Sequence, residues 1–298
     1  MKRIFIICFF LSPVAAVFGQ QLQTSSFYDV QGVLQNPSTA GVYNQSMIGA
    51  TYRTQWSGIS GAPKTATVFG NFALPDQKIG LGGYLYNDKT GPTSRTGAQV
   101  SFAKHIPLKN DAVFSLGIEV KFLQFSIDKV KLFQTLGSDP VLNGGENDTK
   151  FDAGFGISYT GKKLQLGASV AQLIQSKLDF YSGNLNRTEE ARLYRHYFLH
   201  GSYKWSTDEN TTLTPNFLVT YLPNAPVEFQ GGIRVEHNET FFWGVGYRVH
   251  QSFLLSAGVH VNKKFTIGYG FDLYNVPYNT FGPGGSAHEI LLKLNITK

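Results

Sequence analysis

The sequence predicts an all-β protein, a transmembrane antiparallel β-barrel of the outer membrane with about fourteen strands. Three observations predict it. Large apolar residues alternate with small, polar or Gly residues at period two along most of the 298 residues, the pattern of half-buried strands. The connections between candidate strands sort by parity into short turns and long loops, as in outer-membrane barrels. Charged residues make up only 15% of the chain, against about 25% in an average soluble domain. The same composition excludes other classes. Beyond the N-terminus no stretch is apolar for the roughly 18 residues of a spanning helix. The single cysteine cannot form an intrachain disulfide, and 14% aromatic residues is too many for disorder.

Residues 1–19 read as a secretory signal peptide. Met1-Lys2-Arg3 is positive, Ile4 to Phe18 is apolar, and Val17-Phe18-Gly19 supplies the small terminal residue before a cut at Gln20. Cys8 lies inside the apolar run rather than at the cut, which argues against a lipoprotein. Removing the peptide lowers the formal charge from +6 to +4. With no basic stripe interleaved with aromatics, nothing indicates nucleic-acid binding.

Residues 20–45 form an N-terminal periplasmic or plug-like segment. The stretch Gln21–Gly41 is too polar for a lipid-facing strand and contains Asn36-Pro37, a turn initiator. A plug, a periplasmic brace and a contact with periplasmic machinery all remain open.

Residues 46–298 form the barrel. Candidate strands centre near Tyr52, Phe69, Gly82, Val100, Ile118, Phe155, Gly167, Leu199, Phe217, Gly231, Val245, Ser256, Tyr269 and Leu292. The clearest alternations are Phe114-Leu116-Ile118-Val120-Phe122, Phe151-Ala153-Phe155-Ile157-Tyr159 and Phe265-Ile267-Tyr269-Phe271-Leu273. Short turns include Pro75-Asp76-Gln77, Gly161-Lys162, His237-Asn238-Glu239 and Asn262-Lys263-Lys264. The long connections are Lys129 to Asp148, Gln175 to Glu190 and Asn275 to Ser286. With both termini in the periplasm, these long loops face outside. Tyr52, Trp56, Tyr84, Tyr86, Tyr197, Tyr203, Trp205, Phe241 and Trp243 fall near strand ends and fit interfacial girdles.

The apolar faces belong to lipid and the opposite faces to the lumen, where charge is tolerated; at the lipid midplane it costs ~2–4 kcal/mol. Lumen candidates are Glu119, Lys121, Lys150, Asp152, Lys163, Gln165, Glu228, Arg234 and Asp272, joined by Arg53 and Gln55. Their mixed signs predict cross-lumen ion pairs and a largely filled interior. Gly80, Gly82, Gly154, Gly156, Gly268 and Gly270 on that face leave room for bulky neighbours or for the N-terminal segment.

Several blocks are more specific. Gln35-Asn36-Pro37-Ser38-Thr39-Ala40-Gly41 precedes the first strand, and Tyr52-Arg53-Thr54-Gln55-Trp56-Ser57-Gly58-Ile59-Ser60-Gly61-Ala62-Pro63-Lys64-Thr65 covers that strand and the first long-side loop. Asn87-Asp88-Lys89-Thr90-Gly91-Pro92, Gly246-Tyr247-Arg248 and Ser286-Ala287-His288-Glu289-Ile290 follow. Together these resemble the PorP/SprF family of type IX secretion membrane proteins of Bacteroidetes, over nearly the whole mature chain. The resemblance implies an outer-membrane barrel of the secretion and gliding machinery. Because no residue constellation supports catalysis, no enzymatic activity and no cofactor are expected. The partners implied by the resemblance are a large secreted protein, adhesin-like and bearing a C-terminal sorting domain, other type IX secretion components and outer-membrane lipid. The family-like blocks at Trp56 to Lys64, Asn87 to Pro92, Tyr247 to Gln251 and Gly282 to His288 fall at the expected outer rim. The partner-binding candidates are therefore Trp56, Gly58, Gly61, Ala62, Pro63, Asn87, Asp88, Gly91, Pro92, Tyr247, Arg248, His288 and Glu289. The alternative reading is a general porin or solute channel.

One departure stands out: many barrels end in an aromatic residue, whereas this chain ends Leu294-Asn295-Ile296-Thr297-Lys298. The alternation His288, Ile290, Leu292, Leu294, Ile296 still marks a closing strand. Other chemistry finds little support. His196 and His200 would stand about 13 Å apart in a strand, too far for one metal. Ser252, His250 and Asp88 lack any nucleophile elbow. Asn143 to Asp148 is oxygen-rich but lacks the ligand spacing of a calcium loop.

Overall fold

A computed structural model describes residues 23–42, 46–136, 147–178, 192–223, 225–262, 264–275 and 285–296. The predicted signal peptide and its cleavage point lie outside the described residues, as do parts of the three long loops.

Fourteen antiparallel strands follow one another around a closed sheet. They are β1 (Ser46–Gln55), β2 (Lys64–Leu74), β3 (Ile79–Thr90), β4 (Thr93–Pro107), β5 (Val113–Ile127), β6 (Asn147–Thr160) and β7 (Leu164–Ala171). The second half comprises β8 (His196–Tyr203), β9 (Thr211–Tyr221), β10 (Glu228–His237), β11 (Phe241–Arg248), β12 (Ser252–Val261), β13 (Phe265–Tyr274) and β14 (Ser286–Ile296). Trp205–Ser206 continues β8 against β9. β14 pairs with β1 from Ser46↔Ile296 to Gln55↔Ala287, which closes the cylinder. Closure removes the edges that lipid could not hydrogen-bond. Each of the fourteen expected centres falls inside its strand, and the ending without an aromatic residue still closes the barrel.

Local sequence explains both rims. At the short-turn end the chain reverses through brief segments such as Pro75–Gln77 and Lys109–Asp111. In another, Oδ1 of Asp208 accepts from the N–H groups of Asn210 and Thr211, both at 2.7 Å. The Asn210 N–H holds that exposed carboxyl below its usual range. The long connections all leave odd-numbered strands at the other end; one of them starts with α1 (Lys129–Leu136).

The alternation reads directly as outside and inside. On β5, Ile118 is 57% and Val120 60% exposed on the outer wall, whereas Glu119 is 3% exposed in the lumen. Tyr52, Tyr197, Tyr203, Trp205, Phe241 and Trp243 are exposed on the outer wall, as girdle residues are. Tyr84 and Tyr86 are not. They share the inward parity of Gly82 on β3 and pack at 5.8 Å from each other. Gly97 lies opposite Tyr86, and a Cβ there would stand 2.2 Å from the Tyr86 ring. Trp56 also leaves the girdle, its ring tilted against the buried Tyr274 at 5.7 Å. Lys163 falls in the exposed turn between β6 and β7, not in the lumen.

The apolar core is inside the barrel and is built around the N-terminal segment. Phe27, Phe69, Phe242 and Leu291 form one buried cluster, and Val33, Ala40 and Ala103 a second. Phe27 meets Phe242 edge to face at 6.5 Å.

Candidate functional site

The Gln35–Gly41 block lies within the lumen, threaded between strands on opposite sides. Asn36 is fully buried and caps the short 3₁₀ turn Pro37–Thr39, its Oδ1 accepting from Ser38 N–H at 3.0 Å. Its Nδ2 faces the carbonyls of Ile157 (3.0 Å) and Ala168 (3.3 Å) and Nε2 of His200 (3.0 Å). One residue thus ties the segment to β6, β7 and β8. Ser38 Oγ lies 2.9 Å from Ser158 Oγ, and Ser169 donates to the Gln35 carbonyl at 2.5 Å. At the short-turn end, His105 Nε2 meets the Ala40 carbonyl at 3.0 Å.

Glycine makes this approach possible, since a strand Gly marks a site where another backbone comes close. A Cβ at Gly117 would stand 2.2 Å from Ser38 N, and one at Gly156 2.0 Å from Asn36 Oδ1. Gly80 and Gly82 accommodate Ala40 and Val33, and Gly268 and Gly270 accommodate Phe27 and Ser26, whereas Gly154 clears Glu119 on its own wall.

The other end of the segment is held by charge. Arg53 reaches Asp272 at 2.6 Å and Glu289 at 3.3 Å, and Arg248 reaches Asp272 at 3.2 Å. All four side chains are at most 3% exposed. Ser26 donates its N–H to Glu289 and its hydroxyl to Asp272, and Arg248 donates to the Ser25 carbonyl at 3.3 Å. Further along, Arg234 clamps Asp29 through two nitrogens at 2.6 and 2.7 Å, and Tyr28 donates to Asn216. Buried charges need such pairing to offset their lost hydration. Arg53 meets Glu289 on the neighbouring strand β14 and Asp272 one strand further on, and Arg248 likewise reaches Asp272 past the intervening β12. Arg234 joins the wall to the segment, and Glu119 and Lys121 pair along one strand at 2.7 Å.

The rim candidates separate into three groups. Trp56, Gly58, Gly61, Ala62 and Pro63 lie on the β1–β2 loop, which the Gly91 N–H joins to the β3–β4 turn by donating to the Gly61 carbonyl at 2.8 Å. Pro92 continues the contact, its carbonyl accepting from Asp128 N–H at 2.7 Å. Asn87, Tyr247 and His288 face outward on their strands. Asn87 bonds Thr96, Tyr247 packs 4.8 Å from Phe253, and His288 pairs with the Tyr269 hydroxyl at 2.6 Å. Asp88, Arg248 and Glu289 face the lumen instead. Arg248 and Glu289 are each 1% exposed within the ion cluster, so neither belongs to a rim surface. Strand parity decides this: each is one residue away from an outward neighbour, Tyr247 and His288.

His196 and His200 serve separate partners, Gln172 and Tyr194 for the first and Asn36 for the second. Ser252 accepts from Arg248, while Asp88 accepts from Thr65 and Arg95, so these residues do not converge with His250. Of the oxygen-rich Asn143–Asp148 stretch, residues 143–146 lie outside the described residues and Asp148 pairs with Lys150 at 3.1 Å. Between the N-terminal segment and the long-loop rim a cavity of about 450 Å³ remains.

The family model "Type IX secretion system membrane protein PorP/SprF" matches residues 16–294. The chain belongs to the PorP/SprF family. Among solved structures, Omp33 of Acinetobacter baumannii is similar at 7% identity and a TM-score of 0.50, covering 85% of this chain and 98% of that one. A FadL homologue of Pseudomonas aeruginosa is similar at 10% identity and the same TM-score of 0.50, covering 87% and 91%. At such identities the likeness concerns the outer-membrane barrel fold alone. No curated protein matches the chain. For this PorP/SprF barrel, the sequence left a plug, a brace and a periplasmic contact open for the segment that carries the Gln35–Gly41 block. The lumen-facing glycines were the signal that the segment had room inside.

Proposed function

We propose that this PorP/SprF-family barrel is a non-enzymatic accessory of type IX secretion. It sits in the outer membrane with its long loops outside and holds the C-terminal sorting domain of a secreted, adhesin-like protein at that rim. The observation that carries the reading is the N-terminal segment crossing the lumen: Asn36 and Ser38 bond one wall while Ser26 and Asp29 bond the other. A barrel crossed in this way is a rigid platform rather than an open pore, which disfavours the solute-channel alternative. The rim then supplies the contact surface. Gly61 and Gly91 link the first two long-side connections, and Trp56, braced on Tyr274, gives an aromatic anchor of the kind that dominates binding energy.

The test is affinity isolation of the tagged barrel from native outer membranes in mild detergent, with mass spectrometry of what accompanies it. A large secreted protein is expected, recovered through its C-terminal domain and lost from the Trp56→Ala/Pro63→Ala variant. Isolation of a barrel with no accompanying secreted protein would sink the reading.

A further inference from the structure

The lumen cavity beyond the N-terminal segment has features that neither lipid nor the segment explains. Its volume of about 450 Å³ falls within the ~300–1,000 Å³ of ligand sites. Tyr28 and Gln31 form its floor, so the cavity ends blindly on the segment. The two sides differ in chemistry. Thr51 and Thr67, from β1 and β2, line it with hydroxyls, while Leu123 and Phe125 of β5 line it with apolar groups. From Ser115 through Gly117 and Glu119 to Lys121 the lumen face of β5 is polar or small, and it turns apolar at Leu123 and Phe125, at cavity level. The charged groups at the cavity already have partners: Arg53 meets Asp272 and Glu289, Lys121 meets Glu119, Arg95 meets Asp88, and the Glu228 carboxylate accepts from Gln251. Such a site favours an uncharged ligand with one apolar and one polar face. An extended peptide has that form, because its successive side chains point to opposite sides and its backbone groups can meet the threonine hydroxyls.

We propose that this cavity is a blind socket for an extended, uncharged peptide segment of the secreted partner. Apolar side chains of that segment turn toward Leu123 and Phe125, and its polar groups toward Thr51 and Thr67. The inference rests on the anchoring reading and adds to it a defined receptor for the partner's chain.

Cys8 is the sole cysteine and lies in the predicted signal peptide, so Thr65→Cys puts a unique thiol at the cavity wall. The barrel–partner complex and the barrel stripped of partner are each treated with a maleimide dye. At least tenfold slower labelling in the complex is expected. A second variant, Thr67→Trp, fills the socket and is expected to lower partner recovery at least tenfold, while Val68→Trp on the lipid face leaves recovery unchanged. Folding of each variant is followed by heat-dependent gel migration. Equal labelling in complex and free barrel, or full recovery with Thr67→Trp, overturns the socket and leaves rim anchoring standing. Absence of a partner from every preparation overturns both. Protection that persists without a partner and is lifted by glycosidase treatment makes the occupant a saccharide and overturns the peptide assignment.

Discussion

The carboxamide of Asn36 lies 3.0 Å from Nε2 of His200, across the lumen from the segment to the wall. Ser38 N–H donates to Asn36 Oδ1, which fixes the amide so that Nδ2 faces His200. Nε2 of His200 therefore accepts, and its Nδ1 carries the proton. A single polar side chain with no exposed surface thus couples the N-terminal segment to β8 and, through Ile157 and Ala168, to β6 and β7.

Asn36→Ala removes these bonds and leaves the buried Ser38 N–H and His200 Nε2 without this partner, at about 1–3 kcal/mol for each unsatisfied group. The segment is expected to become sensitive to added protease while the barrel strands stay protected. Asn36→Asp is expected to be at least as harmful, because a carboxylate would face two carbonyls and an accepting imidazole. Limited proteolysis of the purified barrel checks both, and unchanged protection of residues 23–42 would contradict the assigned role.

Gly117→Val sets a side chain against Ser38, whose backbone nitrogen would lie 2.2 Å from the new Cβ. Backbone cannot move aside cheaply, so the segment is expected to leave the wall. In planar bilayers the parent barrel should show little conductance, and Gly117→Val or deletion of residues 23–42 should produce open channels. A parent barrel that conducts as well as the deletion variant would refute the crossed-lumen account and favour the channel alternative.

Arg53→Met leaves Asp272 with one cationic partner and Glu289 with none, both nearly inaccessible to water. Breaking a buried pair costs about 3–5 kcal/mol. Because Arg53 and Glu289 face each other across the β1–β14 seam, a lower temperature for the folded-to-unfolded gel shift is expected. A pairwise Arg53→Met/Glu289→Leu variant should recover part of the loss, since it removes the stranded charge.

Val120→Arg places a charge on the lipid wall of β5, at about 2–4 kcal/mol near the midplane. The neighbouring Lys121, one residue away, is buried in the lumen beside Glu119. Assembly into outer membranes should fall sharply for Val120→Arg and much less for Val120→Leu, as measured by the fraction of heat-modifiable barrel. Equal yields would mean that the outward assignment of this face is wrong.

Much of the fold was legible because strand periodicity is local. Ile118 and Val120 alternate with Glu119 and Lys121 within a few residues, and no distant contact is needed to read which face meets lipid. Loop parity was equally legible, since Pro75–Gln77 and its counterparts are turns by composition. The site was legible only in part. Parity alone could have turned Arg248 and Glu289 inward, but motif position drew them to the rim. Tyr84 and Tyr86 were misread because aromatic character suggests an interface, whereas Gly97 on the neighbouring strand makes room for Tyr86 inside.

By itself the sequence determined the barrel, its fourteen strands, their lipid and lumen faces and the family to which the chain belongs. These follow from alternation, turn chemistry and contiguous motifs, all carried by neighbouring residues. Only the tertiary structure decided what the lumen contains. Ser26 with Asp272, Asp29 with Arg234 and Asn36 with His200 are separated by 246, 205 and 164 positions. Such pairs exist only after the cylinder has closed, because closure brings strands from opposite ends of the chain around one segment. The physical reason is that lumen groups are chosen by whichever buried charge or amide they must satisfy, and that demand has no period along the chain.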